Sequence, residues 1–208
     1  MGSRTPPNAC GCHPRRRACP ARGAEFLDTV YRSSAGSTNH TTIVRPRGGD
    51  LMRIRRAQAT DEEALARIRR NAILELAVSA MSMEQAEQWS ARAAADRIVR
   101  AIRDHTVWVA VEGAVIGWVE VDRDRVAALY VAPACSRRGI GSALLAHAET
   151  SIQSSGYATA RLDSSANALD FYLRRGFRRC GAPDADGAWP LHKELAAVKP
   201  DHGMEPTR

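Results

Sequence analysis

Apolar residues begin to recur with a regular period only near residue 52, and from there the period changes several times. Residues 1–50 show no period and are rich in Pro, Gly, Ser and Arg, so a disordered arm is expected there. Met52 opens a short strand in "LMRIRR". Leu65, Ile68, Ala72 and Leu76 then recur at helical spacing, with Thr60 and Glu63 as the expected capping box before them. "SMEQAEQWSARAAADRIVRAIRDH" predicts a second helix, starting at Ser82 or Met83. From Thr106 the period drops to two. "TVWVAVEGAVIGWVEVDRDRVAALYV", broken by Glu112-Gly113 and by Asp122 to Arg125, predicts three strands joined by hairpins. Ile140, Leu144, Ala148 and Ile152 predict a helix that stops at Gly156. "YATARLDSS" comes next as a strand, "NALDFYLRR" as a short helix closed by Gly176, and "FRRCG" with "AWPLHKEL" as a last strand pair.

The order β-α-α-β-β-β-α-β-α-β-β predicts an α/β fold. It is a mixed, partly antiparallel sheet of about seven strands flanked by four helices, with one parallel crossover. The folded domain is expected over residues 51–198, and residues 199–208 are expected to form a disordered tail. Met52 is further read as the biological start, with the arm as upstream sequence.

Charge changes the picture little. Residues 1–51 carry eight Arg against three acids, whereas the remainder carries 22 basic against 20 acidic residues, so most of the net +7 belongs to the arm. The arm has no interleaved aromatics and no nucleic-acid module, so it reads as a solvated tail and nucleic acid is not an expected partner. No apolar run approaches the roughly 18 residues that span a bilayer, and no apolar stretch follows "RRRACPARGAEFL" as a signal peptide would require. A cytoplasmic protein with no membrane partner is expected. The five cysteines are an odd count without a secretion signal, which argues against a disulfide framework. "CGCHPRRRAC" offers four soft ligands in ten residues, but its spacing matches no known closed zinc site, and no metal is expected.

The informative stretch is "YVAPACSRRGIGSALL". A helix N-terminus presents unpaired N–H groups and partial positive charge. Gly139 and Gly141 there remove side chains that would hold a ligand off the backbone, and Arg137 and Arg138 add charge suited to phosphate. The stretch is thus equipped to hold a pyrophosphate. It lacks the lysine of a Walker A loop, and Leu144 stands at the third glycine of a dinucleotide fingerprint. A glycine turn that merely packs helix on sheet is the bland alternative.

One strand and one helix downstream stands "SANALDFYLRRGF", with Asn167, Ala168, Phe171, Tyr172, Gly176 and Phe177. With the element order and the two glycines, the chain resembles the GNAT superfamily of acyl-CoA-dependent N-acetyltransferases over residues 52 to about 196. Its loop signature, Gln/Arg-x-x-Gly-x-Gly/Ala, falls on Gly139 and Gly141, with Ser136 in place of the Gln/Arg. Its second hallmark, Asn-Ala-x-x-Phe-Tyr-x-x-x-Gly-Phe, is reproduced from Asn167 to Phe177. The resemblance implies acetyl-CoA as donor and direct attack of a primary amine, on a small molecule or peptide, upon the thioester.

It further implies that main-chain groups around Leu129 and Val131 pair with the pantetheine arm. The N–H groups of Arg137, Arg138, Gly139, Ile140, Gly141 and Ser142 would hold the pyrophosphate. Asn167 would bond the pantetheine or cap the following helix, and Tyr172 would protonate the departing thiolate. "RVAALYV" lacks the carboxylate that many family members carry there. Glu120 is taken as the expected base, with Asp122, Asp163 or a water relay as alternatives. Met81, Met83 and Trp89 either line an acceptor pocket or are ordinary core. Dimers are common in the family, which leaves a homodimer open. An acyl-CoA-binding module without transfer activity is the alternative reading.

Overall fold

The computed structural model describes residues 41–44, 51–76, 84 and 95–196. Its strands are β1 (Thr42–Val44), β2 (Met52–Arg56), β3 (Thr106–Glu112), β4 (Ala114–Asp122), β5 (Arg125–Val131), β6 (Thr159–Ser164), β7 (Arg178–Arg179) and β8 (Trp189–Glu194). Its helices among the described residues are α1 (Glu62–Leu76), α2 (Ala95–Asp104), α3 (Ile140–Ser154) and α4 (Leu169–Leu173). One sheet runs β1-β2-β3-β4-β5-β6-β8-β7. Every pair is antiparallel except β5–β6, which the crossover helix α3 makes parallel. The expected mixed sheet with four helices is therefore present, with eight strands rather than seven.

The extra strand lies inside the expected arm. β-Branched Thr42 and Ile43 and buried Val44 pair antiparallel with Ile54, Arg53 and Met52, so residues upstream of Met52 take part in the fold. The remaining arm, the "CGCHPRRRAC" cluster, the residue 82–83 helix start, Met81, Met83, Trp89 and the 199–208 tail lie outside the described residues. Among the described residues no helix is long and apolar enough to cross a membrane.

Alternation in the strands decides which helix covers which face. On one face Val107, Val109 and Trp118 pack with Leu65 and Ile68 of α1 and Ile98 of α2, and Trp118 Nε1 donates to Leu65 O at 3.1 Å. On the other face Ile54, Val119 and Leu162 meet Leu144, Leu145 and Ile152 of α3. Gly117 permits this second contact. A Cβ there would stand 3.0 Å from Tyr130 O, 3.1 Å from Leu144 Cδ1 and 3.3 Å from Ile140 Cγ2, so α3 rests closely on the sheet where it begins.

The start of α1 differs from the expected Thr60–Glu63 box. Asp61, in a 3₁₀ turn just ahead of α1, accepts the Gln58 N–H at 2.8 Å and a two-pronged bond from Arg55 at 2.7 and 2.9 Å. Glu63 points to solvent. A capping box needs a carboxylate that can fold back, and here the arginine of β2 selects Asp61.

Bonding to Arg55 holds the Asp61 carboxyl below the ordinary carboxylate range. A depressed folded pKa adds stability that is complete above about pH 4 and is lost as pH falls below it. Asp61→Asn should lower the melting temperature at pH 7 and shrink the wild-type loss between about pH 4 and pH 2, as followed by thermal denaturation.

Candidate active site

β5 and β6 touch at one residue pair, Arg125 with Arg161, beside a 2.8 Å bond from Arg161 N–H to Asp124 O. Beyond that point they diverge, and a crevice of about 1060 Å³ opens between them, large enough for an extended ligand. The orientation of the β5 main chain comes from its ladder with β4. Ala132 N–H donates to Ile116 O at 2.8 Å, and bonded positions in an antiparallel ladder recur at every second residue. Ala128 and Tyr130 therefore turn their main chain toward β4, and Leu129 and Val131 turn theirs toward the gap. Ala127 has no partner, because the register shifts between Glu120 opposite Ala128 and Val121 opposite Val126, a bulge on the crevice wall.

The chain leaves β5 through a 3₁₀ turn, Pro133–Cys135, and enters α3 at the mouth of this crevice. Gly139 is the N-cap with φ +85°, and a Cβ on it would meet nothing within 4 Å. Arg137 also has positive φ, at 62°. Arg137, Gly139, Ile140, Gly141 and Ser142 all line the crevice. Arg138 does not. One of its Nη atoms lies 2.7 and 2.8 Å from the two Glu112 oxygens, and this bond raises its pKa. Its side chain is therefore held by a carboxylate on the β3–β4 hairpin, away from the crevice, whereas the role expected of it rests on its main-chain N–H.

From the opposite wall come Asn167 and Tyr172. Asn167 Oδ1 accepts from Ser165 Oγ at 2.7 Å. Tyr172 is 8 % exposed and wedged edge-on between Phe171 and Phe177. Its hydroxyl has no hydrogen-bond partner among the described residues, and the side chain borders the crevice. Burial, followed by the nearby Tyr130 phenol, raises its pKa above the ordinary phenol value.

Glu120 is not brought to the crevice. It is 2 % exposed and accepts from Arg97 Nη2 at 2.8 Å while its other oxygen lies 2.7 Å from His105 Nδ1. Held by Arg97 and His105 and outside the crevice lining, Glu120 stands apart from the place where it was expected to act as base. Of the three carboxylates named as bases, only Asp163 lines the crevice, and it pairs with Arg125.

Several lining residues escaped the sequence reading. Tyr130 stands on β5 with its ring 5.2 Å from that of Trp118, and Ala72 and Ile73 of α1 complete that side. Arg174 and Arg175 follow α4, and Asp184 and Asp186 come from the β7–β8 turn. Arg174 and Arg175 lie inside the second motif, where the sequence treats them as spacers between Tyr172 and Gly176.

A family model described as the acetyltransferase (GNAT) domain matches residues 77–192, more than half of the chain. The chain belongs to the GNAT acetyltransferase family. It is thus an acyltransferase by family. Solved GNAT structures share the fold. A GCN5-related N-acetyltransferase from Rhodopseudomonas palustris superposes with TM-score 0.66 at 22 % identity, covering 75 % of this chain and 99 % of that one. The PaiA N-acetyltransferase of Thermoplasma acidophilum, solved in complex with coenzyme A, gives 0.62 at 23 % identity over 69 % of this chain and 99 % of its own. The acetyltransferase YncA of Salmonella typhimurium, solved with acetyl-CoA, gives 0.51 at 18 % identity over 73 % and 98 %. No curated protein matches the chain in sequence.

Gly139→Ala places a side chain in open space, so its cost is the left-handed backbone alone, about 1 kcal/mol in denaturant unfolding. Glu120→Ala leaves Arg97 and His105 without their carboxylate. It should cost on the order of 3 kcal/mol in the same measurement, far more than the loop glycine.

Proposed function

We propose that the chain transfers the acetyl group of acetyl-CoA, its donor substrate, to a primary amine by direct attack on the thioester within the β5–β6 crevice. The carrying observation is the buried, unpartnered Tyr172 phenol facing a gap in which strand amides lie open. Pantetheine adds to the free edge of β5 through the main chain of Leu129 and Val131, as a strand adds to a sheet. The N–H groups from Arg137 to Ser142 hold the pyrophosphate at the start of α3. Asn167, on the crevice wall, bonds the pantetheine.

The amine nitrogen attacks the carbonyl carbon, the carbon–sulfur bond breaks, and the electron pair leaves on the CoA sulfur. Tyr172 donates its O–H to that sulfur. An alkyl thiol titrates near 8.5 and an ordinary phenol near 10, and burial moves Tyr172 further up. Complete proton transfer from phenol to thiolate is therefore uphill. Tyr172 stabilises the thiolate as a hydrogen-bond donor, and water protonates it after release. The same upward shift keeps the phenol protonated at alkaline pH. The attacking amine must also lose a proton, and with Glu120 held by Arg97 and His105 it goes to crevice water. The carboxylates of Asp184 and Asp186 on the crevice wall suit an acceptor that arrives as an ammonium.

Free thiol release from acetyl-CoA with a panel of amines tests the activity, and no release with any acceptor would overturn it. Tyr172→Phe should lower kcat about a hundredfold while the CoA dissociation constant stays within about twofold. Because the hydroxyl it removes has no partner, the melting temperature should not fall. Equal turnover in both proteins would remove Tyr172 from the mechanism.

A further inference from the structure

At the position where the family motif has Gln or Arg, the loop expected to receive the pyrophosphate carries Ser136, whose short side chain supplies neither a long polar reach nor a charge. Of the two arginines just after it, Arg138 is neutralised by Glu112. Arg137 remains, on an exposed side chain. The deficit is met from another element. Arg175, at the end of α4, lays its guanidinium over the Phe171 ring, 3.7 Å from the centroid. Its Nη1 donates to Phe171 O at 2.9 Å and its Nη2 to Ser142 Oγ, in the first turn of α3.

Arg175 differs from the arginines that are committed to carboxylates. Arg55, Arg97, Arg125, Arg138 and Arg161 each lie within 4.0 Å of a carboxylate. Arg175 has no carboxylate at that distance among the described residues. Glu149, which acts on it electrostatically, is bound to Lys193 at 2.7 and 2.8 Å. A guanidinium has five N–H donors, of which protein atoms here take two. The rest of the head belongs to a crevice wall that it shares with Gly139, Gly141 and Ser142. Burial, and Arg174 beside it, lower its pKa, the mark of a cation that protein anions do not compensate.

We propose that Arg175 is a phosphate-binding residue of the donor site, supplying from α4 the charge that the α3 loop lacks. The inference rests on the acetyl-CoA reading and adds a residue to it. The bond to Ser142 leaves the serine's own O–H to donate, so one phosphate oxygen can meet the helix amides, the Ser142 hydroxyl and the guanidinium together. The stem, stacked on Phe171, holds the head in place before the ligand arrives, so little side-chain freedom is lost on binding.

The test is calorimetric titration of the full chain with CoA, for wild type, Arg175→Met and Arg175→Lys, across a series of NaCl concentrations. Methionine keeps an apolar stem on Phe171 without the charge, and lysine keeps the charge without the fork. Arg175→Met should weaken CoA binding about tenfold or more and flatten its dependence on salt. Arg175→Lys should recover part of the affinity and the wild-type salt dependence. Affinity within twofold of wild type in Arg175→Met overturns the proposal. So does a loss of affinity with unchanged salt dependence in both variants, which would assign Arg175 to packing alone. Failure of the wild-type protein to bind CoA would instead overturn the donor reading.

Discussion

The separation of β5 from β6 after a single pair is the constraint on which the remaining architecture depends. Parallel strands joined by a crossover helix ordinarily continue their ladder, because main-chain N–H and C=O groups left without partners are costly. Here Leu129 and Val131 face a gap instead. The sheet is held open from both faces. α1 presses on β4 and β5 from one side, with Trp118 bonded to the Leu65 carbonyl, and α3 presses from the other through the Gly117 contact. The strand positions that the sheet leaves unpaired line the crevice.

The same opening brings together ends that carry chemistry. β5 and β6 are parallel, so both finish at the same edge, and the segment after each strand faces the crevice. After β5 comes the glycine turn and the start of α3; after β6 come Asn167 and α4 with Tyr172. The antiparallel β8 begins opposite the end of β6, Trp189 against Ser164, which brings Asp184 and Asp186 to that edge as well. One gap is thus lined by arginines from the α3 and α4 ends and by carboxylates from β6 and the β7–β8 turn.

Charge in this protein is largely committed to structure, and the exceptions are informative. Glu120 ties α2 to β4, Arg55 ties β2 to the start of α1, and Arg138 ties the glycine loop to the β3–β4 hairpin. Each is a group that could serve chemistry by type alone, and each is already held by a neighbour. Tyr172 and Arg175 are groups whose protein partners leave donors over, and both stand on the crevice wall.

The amino-acid sequence by itself determined most of the elements. The alternation from Thr106 to Val131, the helical spacing from Ile140 to Ile152, the left-handed turn at Gly139 and the Asn167–Phe177 motif are local, since each depends on neighbours a few residues away. Local patterns also found the glycine loop and Tyr172, because a helix start and a motif helix carry their meaning in their own residues. The tertiary structure alone decided which charged side chains remain available. Arg138 meets a carboxylate 26 residues earlier and Arg175 a hydroxyl 33 residues earlier, across the sheet and between helices. β1 and the Asp61 cap were likewise hidden, since a three-residue strand has too few positions to show a period, and the cap was chosen by Arg55 on another strand. Spacing along a chain cannot say which cation reaches which anion; packing of distant segments does.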